Sequence, residues 1–161
     1  QAHPDLRIFP CTAGRANMFF PSFVPATRGG VLPTIKGNPQ QLQQVLVNLM
    51  TNAIYALNQR YTDSCPEKKL EIRCRLKTAA SKEYLCLTVA DWGIGIPQEI
   101  INRIFDSLFT TKPPGKGTGL GLSISKGLVR DHHGFLSVES TPGGPTVATV
   151  DLPVAVNNGD A

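Results

Sequence analysis

The chain has 161 residues, a formal net charge of +4 at pH 7 and four cysteines. This length suffices for one domain with a substantial core and is too short for two comfortable ones. The basic residues are scattered, and no basic run is interleaved with aromatic residues, so the charge predicts no nucleic-acid partner and suits a polyphosphate ligand instead.

The cysteines form no CxxC pair and have no histidine at zinc-ligand spacing: Cys11, Cys65, Cys74 and Cys86. They indicate neither a metal site nor a disulfide framework, so a reducing cytoplasm is the expected setting. No apolar run approaches membrane-spanning length, and the first residues lack the form of a signal peptide. If the parent protein is anchored in a membrane, for example the inner membrane, its anchor is therefore expected outside this sequence.

The first 36 residues have the least regular pattern. Residues 6–9 predict a strand, and residues 31–35 predict an edge strand because they contain Pro33. Between them, residues 11–30 mix prolines and glycines with three phenylalanines. Two interpretations stay open for this segment: a mobile loop, or an insertion that packs its aromatic side chains on the domain surface.

A helix is predicted from Pro39, with Asn38 as its cap. Its apolar residues recur at three- and four-residue steps and predict one buried face: Leu42, Val45, Leu46, Leu49, Ala53 and Leu57. Asn48 and Asn52 share another face with Tyr55, because residues four apart on a helix stack above one another. Two amide oxygens in that position suit Mg²⁺ and its attached phosphates, and the alternative is a pair of exposed amides.

The next pattern is that of two antiparallel strands. Residues 70–76 alternate apolar and polar, and residues 84–89 predict the neighbouring strand. The second strand delivers Asp91 to the end of the sheet, and Gly93 and Gly95 follow it. Because glycine lets backbone approach a flat ligand closely, this arrangement suits a nucleotide base, although a DxGxG sequence alone is usually an ordinary turn.

A short helix is predicted over residues 97–105, with Pro97 in its first turn. Residues 110–116 then form a short lid with two adjacent prolines. Lys112 in this lid either reaches terminal phosphates as a point charge or lies in solvent.

A glycine-dense segment, residues 115–121, leads into a helix predicted over residues 119–129. Free backbone N–H groups at such a helix start favour phosphate. At the other end of this helix, His132 and His133 are expected to be cap or surface residues rather than metal ligands, because no third ligand is spaced near them.

The remaining elements are a strand over residues 134–140, a turn and a strand over residues 147–152. Together the elements predict an α+β fold, a two-layer sandwich in which helices cover one face of a mixed, mostly antiparallel sheet. Composition leaves the strand order open. We expect one domain over residues 1–153 and a disordered tail over residues 154–161.

Four segments resemble, in the family's order, the conserved boxes of sensor histidine kinases. They are the asparagine box at 46–53, the first glycine box at 91–95, the phenylalanine box at 104–112 and the second glycine box at 117–122. The short lid is most similar to that of nitrogen-regulation-type kinases. The resemblance implies the GHKL fold of gyrase, chaperone, mismatch-repair and histidine-kinase ATPases, and it makes residues 11–30 an atypical insertion.

The resemblance also implies the ligands and their contacts. ATP and Mg²⁺ are the expected cofactors, with Asn48 and Asn52 holding the metal, Asn48 and Lys112 acting in catalysis, and Asp91 accepting from the adenine amino group. Thr146 matches the threonine that lies beside the adenine. The implied nucleotide-binding residues are Asn48, Asn52, Tyr55, Asp91, Gly93, Gly95, Ile96, Thr110, Thr111, Lys112, Gly117, Thr118, Gly119, Leu120, Gly121, Leu122 and Thr146.

Activity follows from the residue at one position of the asparagine box. Hydrolytic relatives of the gyrase and chaperone type place a glutamate where this chain has Asn48, and an amide cannot deprotonate water. The resemblance therefore implies phosphate transfer to a histidine on a separate dimerisation domain, with a response regulator as a further partner. It implies a homodimeric full-length protein and a monomeric isolated domain. Two alternatives stay open: an ATP hydrolase, and a nucleotide-binding scaffold without kinase activity.

Overall fold

A computed structural model describes residues 34–63 and 65–155 of the chain. The predicted strand over residues 6–9 and the segment 11–30 lie outside these residues. The described helices and strands, in chain order, are α1 (Pro39–Arg60), β1 (Leu70–Ala79), β2 (Lys82–Asp91), α2 (Gln98–Ile101), α3 (Gly121–Asp131), β3 (Phe135–Ser140) and β4 (Thr146–Pro153).

The four strands form one sheet in the order β1-β2-β4-β3, and every pairing among them is antiparallel. Residues 80 and 81 connect β1 to β2, so the predicted hairpin is confirmed. β4 lies between β2 and β3, because the connection through α2 and α3 carries the chain past the position that β4 later fills. This order makes Asp91, at the end of β2, a direct neighbour of the first residue of β4.

The core lies between this sheet and the two longer helices, as a two-layer α+β sandwich requires. α1 buries Val45, Leu49, Ala53 and Leu57, four of the six apolar residues whose spacing predicted this face. They pack with apolar residues of α3 and of the sheet, among which Val129 and Val150 are completely or almost completely buried. The predicted fold class is therefore confirmed. Among the described residues no helix is both long and apolar enough to cross a membrane.

The start of α1 and the end of α3 are joined by a histidine. Asn38 caps α1 by accepting from the N–H groups of Gln40 and Gln41. Its own N–H donates to Nε2 of His132 at 3.0 Å, and Nδ1 of that ring lies 2.7 Å from the Leu128 carbonyl. His132 is therefore a buried C-cap residue that links two helices, which agrees with the predicted cap role.

The bounds of the second and third helices differ from the predicted ones, and α3 ends at Asp131, two residues later than predicted. α2 ends at Ile101 and is followed by turns instead of continuing to residue 105, and Pro97 precedes the helix as its N-cap. α3 begins at Gly121, not at Gly119, because Gly119 has a φ of +68° and cannot be part of a right-handed helix.

The two ends of the described chain meet beside the sheet. Ile35 pairs with Val154 in an isolated antiparallel bridge, and residues 31–33 of the predicted edge strand lie outside the described residues. Val154 also donates to the Glu83 carbonyl, and Ala155 donates to that of Thr34 at 2.8 Å. Backbone pairing thus continues two residues into the predicted tail, of which residues 156–161 lie outside the described part.

Candidate functional site

A cavity of about 790 Å³ lies between α1, the sheet end of β2 and β4, and the segment that leads into α3. Its volume is that of a typical small-molecule site. Every residue predicted to bind nucleotide lines this cavity except Gly93 and Leu120. The structure thus brings together residues that are spread over about a hundred positions of the sequence.

One end of the cavity, hereafter the base end, is built around Asp91. Its side chain is 4% exposed, and Oδ1 accepts from the N–H of Gly93 at 2.8 Å. Removal from water raises the pKa of this carboxyl to about 6, and the bond from Gly93 opposes that rise. Because Asp91 is the last residue of β2, its position follows from strand register with Leu70 and Thr146.

The loop after Asp91 is locked to the turn between β3 and β4. Gly95 has a φ of +74°, and a side chain there would run into the Thr141 carbonyl, so the close approach requires glycine. Gly143 donates to the Ile94 carbonyl at 2.9 Å, and Ile94 donates to the carbonyl of Ala56 at 3.3 Å. These bonds hold the loop between α1 and the sheet.

Two polar side chains that the sequence analysis did not single out support the base end. Nη1 of Arg60 donates to the Trp92 and Gly93 carbonyls at 3.2 and 3.0 Å, and also to that of Gly143. Ser140 is buried, and its Oγ accepts from the N–H of Ile96 at 2.9 Å. Arg60 is the last residue of α1, in a polar stretch of the sequence, and Ser140 ends a strand, so neither carried a recognisable signal.

The other end of the cavity, hereafter the phosphate end, lies along α1. Asn48 is two helical turns before Ala56, about 12 Å along the helix axis. Its Nδ2 donates to the Gly121 carbonyl and to Oγ of Ser125, both at 3.1 Å. With the amide nitrogen engaged in this way, Oδ1 is the atom left for a ligand, and an oxygen is what a hard cation prefers.

Asn52, one turn further along α1, already faces a positive charge. Nζ of Lys112 donates to Oδ1 of Asn52 at 2.8 Å and lies 4.6 Å from the centre of the Tyr55 ring. Burial lowers the pKa of this ammonium. The predicted alternative of a solvent-exposed lid lysine is thus not what the structure shows, because Lys112 is folded back onto the asparagine box.

The start of α3 completes the phosphate end. Leu120 is the N-cap residue and has no side-chain group that can bond the first turn, so N–H groups there lack an intrahelical partner. Gly121 and Leu122 lie on the cavity wall. The turn before them requires Gly119, whose φ is +68° and whose carbonyl accepts from Leu108 at 3.0 Å. An anion at this position would meet free donors and the positive end of the helix dipole.

The two predicted residues that do not line the cavity have structural explanations. Gly93 lies behind the wall, where its N–H binds Asp91 and its backbone packs against Ala56. Leu120 is 36% exposed and points to the surface. Among the residues on the wall that were not predicted is Lys116, a second lid cation.

A metal site made of charged ligands is absent from the part of the chain that the structure describes. No group of three or more histidine, cysteine, aspartate or glutamate residues lies close enough together there to hold an ion. Any cation in this cavity would therefore be held by amide oxygens and by the ligand's own phosphates.

The fold and the cavity together define a GHKL-type ATP-binding domain. Residues 37–156 match the family described as histidine kinase-, DNA gyrase B- and HSP90-like ATPase. This match covers well over half of the chain, so the chain belongs to that family. The family that the four boxes predicted is therefore confirmed.

Within this family the chain is similar to sensor kinases. It is 35% identical over 127 residues to the sensor histidine kinase TmoS of Ectopseudomonas mendocina, covering 79% of this chain and 12% of that protein. It is 34% identical over 134 residues to the sensor histidine kinase ZraS of Salmonella typhimurium, covering 83% of this chain and 26% of that protein. It is 40% identical over 125 residues to the two-component sensor PprA of Pseudomonas aeruginosa, covering 75% of this chain and 13% of that protein.

The chain spans only about an eighth to a quarter of the length of these relatives. The chain is a histidine-kinase-type ATP-binding domain.

Proposed function

We propose that this domain binds ATP with Mg²⁺ and donates the γ-phosphate to a histidine on a separate dimerisation domain. The observation that carries the proposal is the residue at the phosphate end of the cavity. Asn48 stands there, and the bonds from its Nδ2 to Gly121 and Ser125 fix the orientation of its amide. An amide in this position cannot act as a general base toward water.

The wall of the cavity supports the same reading. Among the described residues that line it, Asp91 is the one carboxylate, and there is no histidine or cysteine. Asp91 belongs to the base end, whose loop is bonded to Ala56, and Ala56 lies about two helical turns along α1 from Asn48. ATP bound with its phosphates along α1 would meet no group able to activate water, so it would persist until an outside nucleophile reached it.

The phosphate end fits Mg²⁺ by the chemistry of its donors. Oδ1 of Asn48 is left for a ligand, and Oδ1 of Asn52 already accepts from a cation, the Lys112 ammonium. These two residues would hold the ion, which supplies neutralisation of the phosphate charge when it is bound.

The remaining contribution of the chain is positioning. The free N–H groups at the start of α3 would orient the phosphates, and Lys112 would leave Asn52 to follow them as a point charge. Loose transfer of a phosphoryl group depends mainly on alignment and charge stabilisation, both of which these residues can provide.

The proposal extends to partners. The acceptor would be an imidazole on a histidine-bearing dimerisation domain of the same protein, and a response regulator receiver domain would take the phosphate next. The relatives' greater length leaves room for such domains. In this arrangement the parent protein is a homodimer acting in the cytoplasm, and the isolated domain is a monomer.

Phosphate transfer can be tested with labelled ATP. The domain is mixed with the dimerisation domain of its parent protein and [γ-³²P]ATP in Mg²⁺, and the matched control replaces the acceptor histidine by glutamine. We expect an acid-labile label on the wild-type acceptor, none on the control, and negligible release of inorganic phosphate by the domain alone. Rapid hydrolysis without the acceptor would favour the gyrase-like alternative, and ATP binding without transfer would favour the scaffold.

A further inference from the structure

A buried serine lies behind the base end and does not contact the cavity. Ser140 ends β3, and it is paired in register with Thr146, which is paired in turn with Asp91. Cross-strand partners point to the same side of a sheet, so the three side chains form one row. Oγ of Ser140 lies 2.7 Å from Oγ1 of Thr146 and accepts from the N–H of Ile96 at 2.9 Å.

The hydrogen bond from the Ile96 N–H determines which hydroxyl donates in the hydrogen bond between Ser140 and Thr146. A backbone N–H can only donate, so Ser140 uses one oxygen lone pair there and keeps its own hydrogen to give away. Among the described residues, Thr146 is the one partner recorded for that hydrogen. If Thr146 donated instead, the Ser140 hydrogen would be left unpaired in a site that is 8% exposed. Ser140 therefore donates to Thr146.

This direction leaves the Thr146 hydrogen pointing away from Ser140, and Thr146 lines the cavity. A donor is thus presented beside Asp91, whose Oδ2 is an acceptor. An acceptor next to a donor matches the edge of adenine, where the 6-amino group donates and N1 accepts. Guanine and hypoxanthine carry the reverse pattern, O6 as acceptor and N1–H as donor.

We infer that Ser140 is a positioning residue for base selectivity: it orients the Thr146 hydroxyl as a donor to N1 of adenine, directly or through one water. The inference rests on the proposed function, because it takes the cavity to be an ATP site. Nε2 of Gln98 donates a hydrogen bond to the backbone carbonyl of Ser140 at 2.7 Å, and this bond holds the end of β3 in place.

The test compares ATP with 1-deaza-ATP, in which N1 is replaced by a C–H group and the amino group is kept. Calorimetric titrations in Mg²⁺ would measure both ligands against the wild type, Ser140→Ala and Ser140→Thr. We expect the wild type to bind ATP about tenfold more tightly than 1-deaza-ATP, the value of one well-formed hydrogen bond. Ser140→Ala should reduce this ratio to about twofold, and Ser140→Thr, which keeps the hydroxyl, should restore it.

The matched control is Ser137→Ala, on the same strand but exposed. It should leave the ratio unchanged. If Ser140→Ala does not fold, Ser140→Cys replaces it, since a thiol has nearly the same shape but is a weak donor, and the ratio should again fall.

The outcomes separate this inference from the proposed function. A wild-type ratio near one, or an unchanged ratio in the Ser140→Ala variant, would overturn the role of Ser140 and leave ATP binding standing. If Ser140→Ala loses the same affinity for ATP and for 1-deaza-ATP, the ratio is unchanged, and the role of Ser140 is overturned in the same way. A wild type that binds no ATP at all would overturn the proposed function and this inference with it.

Discussion

The two ends of the cavity are built in different ways. At the base end, Asp91 and Thr146 are fixed by strand register, and the loop after Asp91 is tied by backbone bonds to α1 and to the turn before β4. At the phosphate end, the contacts come from side chains on a helix and on a loop, above all the bond between Lys112 and Asn52. The base end is therefore fixed mainly by backbone bonds, whereas the phosphate end is closed by a side-chain contact that a bound phosphate would have to replace.

The two ends of the cavity are therefore suited to different tasks, selection of the base at one end and handling of the phosphates at the other. Selectivity for a base needs donors and acceptors held at defined positions, and a sheet end provides them at little cost in entropy. The proposed phosphate transfer would need groups that follow the phosphates as charge moves, and Lys112 could do so only by leaving the Asn52 amide that it contacts. Substitutions at the two ends should consequently change binding in distinguishable ways.

The largest effect is expected from Asp91→Asn at the base end. Loss of a charged acceptor for the adenine amino group should weaken ATP binding about 100-fold, as measured by calorimetric titration in Mg²⁺. Without nucleotide, the free energy of unfolding of the variant at pH 8 should exceed that of the wild type by about 2–3 kcal/mol. The reason is that burial disfavours the ionised Asp91 carboxylate, as its raised pKa shows, and the neutral amide removes this cost.

Asp131→Asn is the control for that substitution, since Asp131 ends α3 with an exposed side chain. Its ATP affinity and its unfolding free energy should match those of the wild type. An Asp91→Asn variant with wild-type affinity would mean that the base does not bind at this end of the cavity.

A smaller effect is expected from Lys112→Met at the phosphate end. Removal of the point charge should weaken ATP binding about tenfold and leave adenosine binding unchanged, because adenosine carries no phosphates. Both affinities can be measured by the same titration, with Lys82→Met, at the exposed first residue of β2, as the control. Equal losses for ATP and adenosine would contradict the division of the cavity into two ends.

The smallest effect is that of pH on the base end. Burial raises the pKa of Asp91 to about 6, and the amino group of adenine needs the ionised carboxylate as acceptor. Lowering the pH from 7.5 to 6 should therefore reduce the ATP affinity of the wild type about twofold. The ATP affinity of the Asp91→Asn variant should not fall in this way over the same pH range.

Raising the pH should increase the affinity for ATP but decrease the stability of the nucleotide-free domain. The folded-state pKa of Asp91 lies above its ordinary value, so its contribution to folding is most favourable below that value and is lost as the pH rises through about 6. Chemical denaturation of the nucleotide-free domain between pH 4 and 7 would measure this trend. A wild type that gains stability over this range relative to Asp91→Asn would show that the carboxyl is not desolvated as described.

Much of the fold followed from patterns in the sequence. The start of α1 at Pro39, with Asn38 as its cap, depends on local chemistry and agrees with the structure. The two hairpins agree as well, because period-two alternation and turn residues act over short distances. The end of α2 and the start of α3 were misplaced. At the start of α3, Gly119 has a φ of +68° and lies against the Leu108 backbone, a contact that the helical pattern of residues 119–129 does not contain.

The candidate site divides in the same way. Asp91, Asn48 and Asn52 could be singled out because their spacing places them at a strand end and on one helix face. The roles of Ser140 and Arg60 could not, since each depends on a partner that only the completed sheet and its loops bring near. Lys112 was identified as a candidate, but its bond to Asn52 is a contact between residues 60 positions apart.

The sequence by itself determined which residues this domain has available for a nucleotide, because local periodicity, capping and glycine placement are properties of neighbouring residues. The tertiary structure decided which of those residues touch. The strand order that places Thr146 between Asp91 and Ser140 is set by how the whole chain covers one face of its sheet. The direction of the hydrogen bonds along that row follows from burial and could not be read from any segment alone.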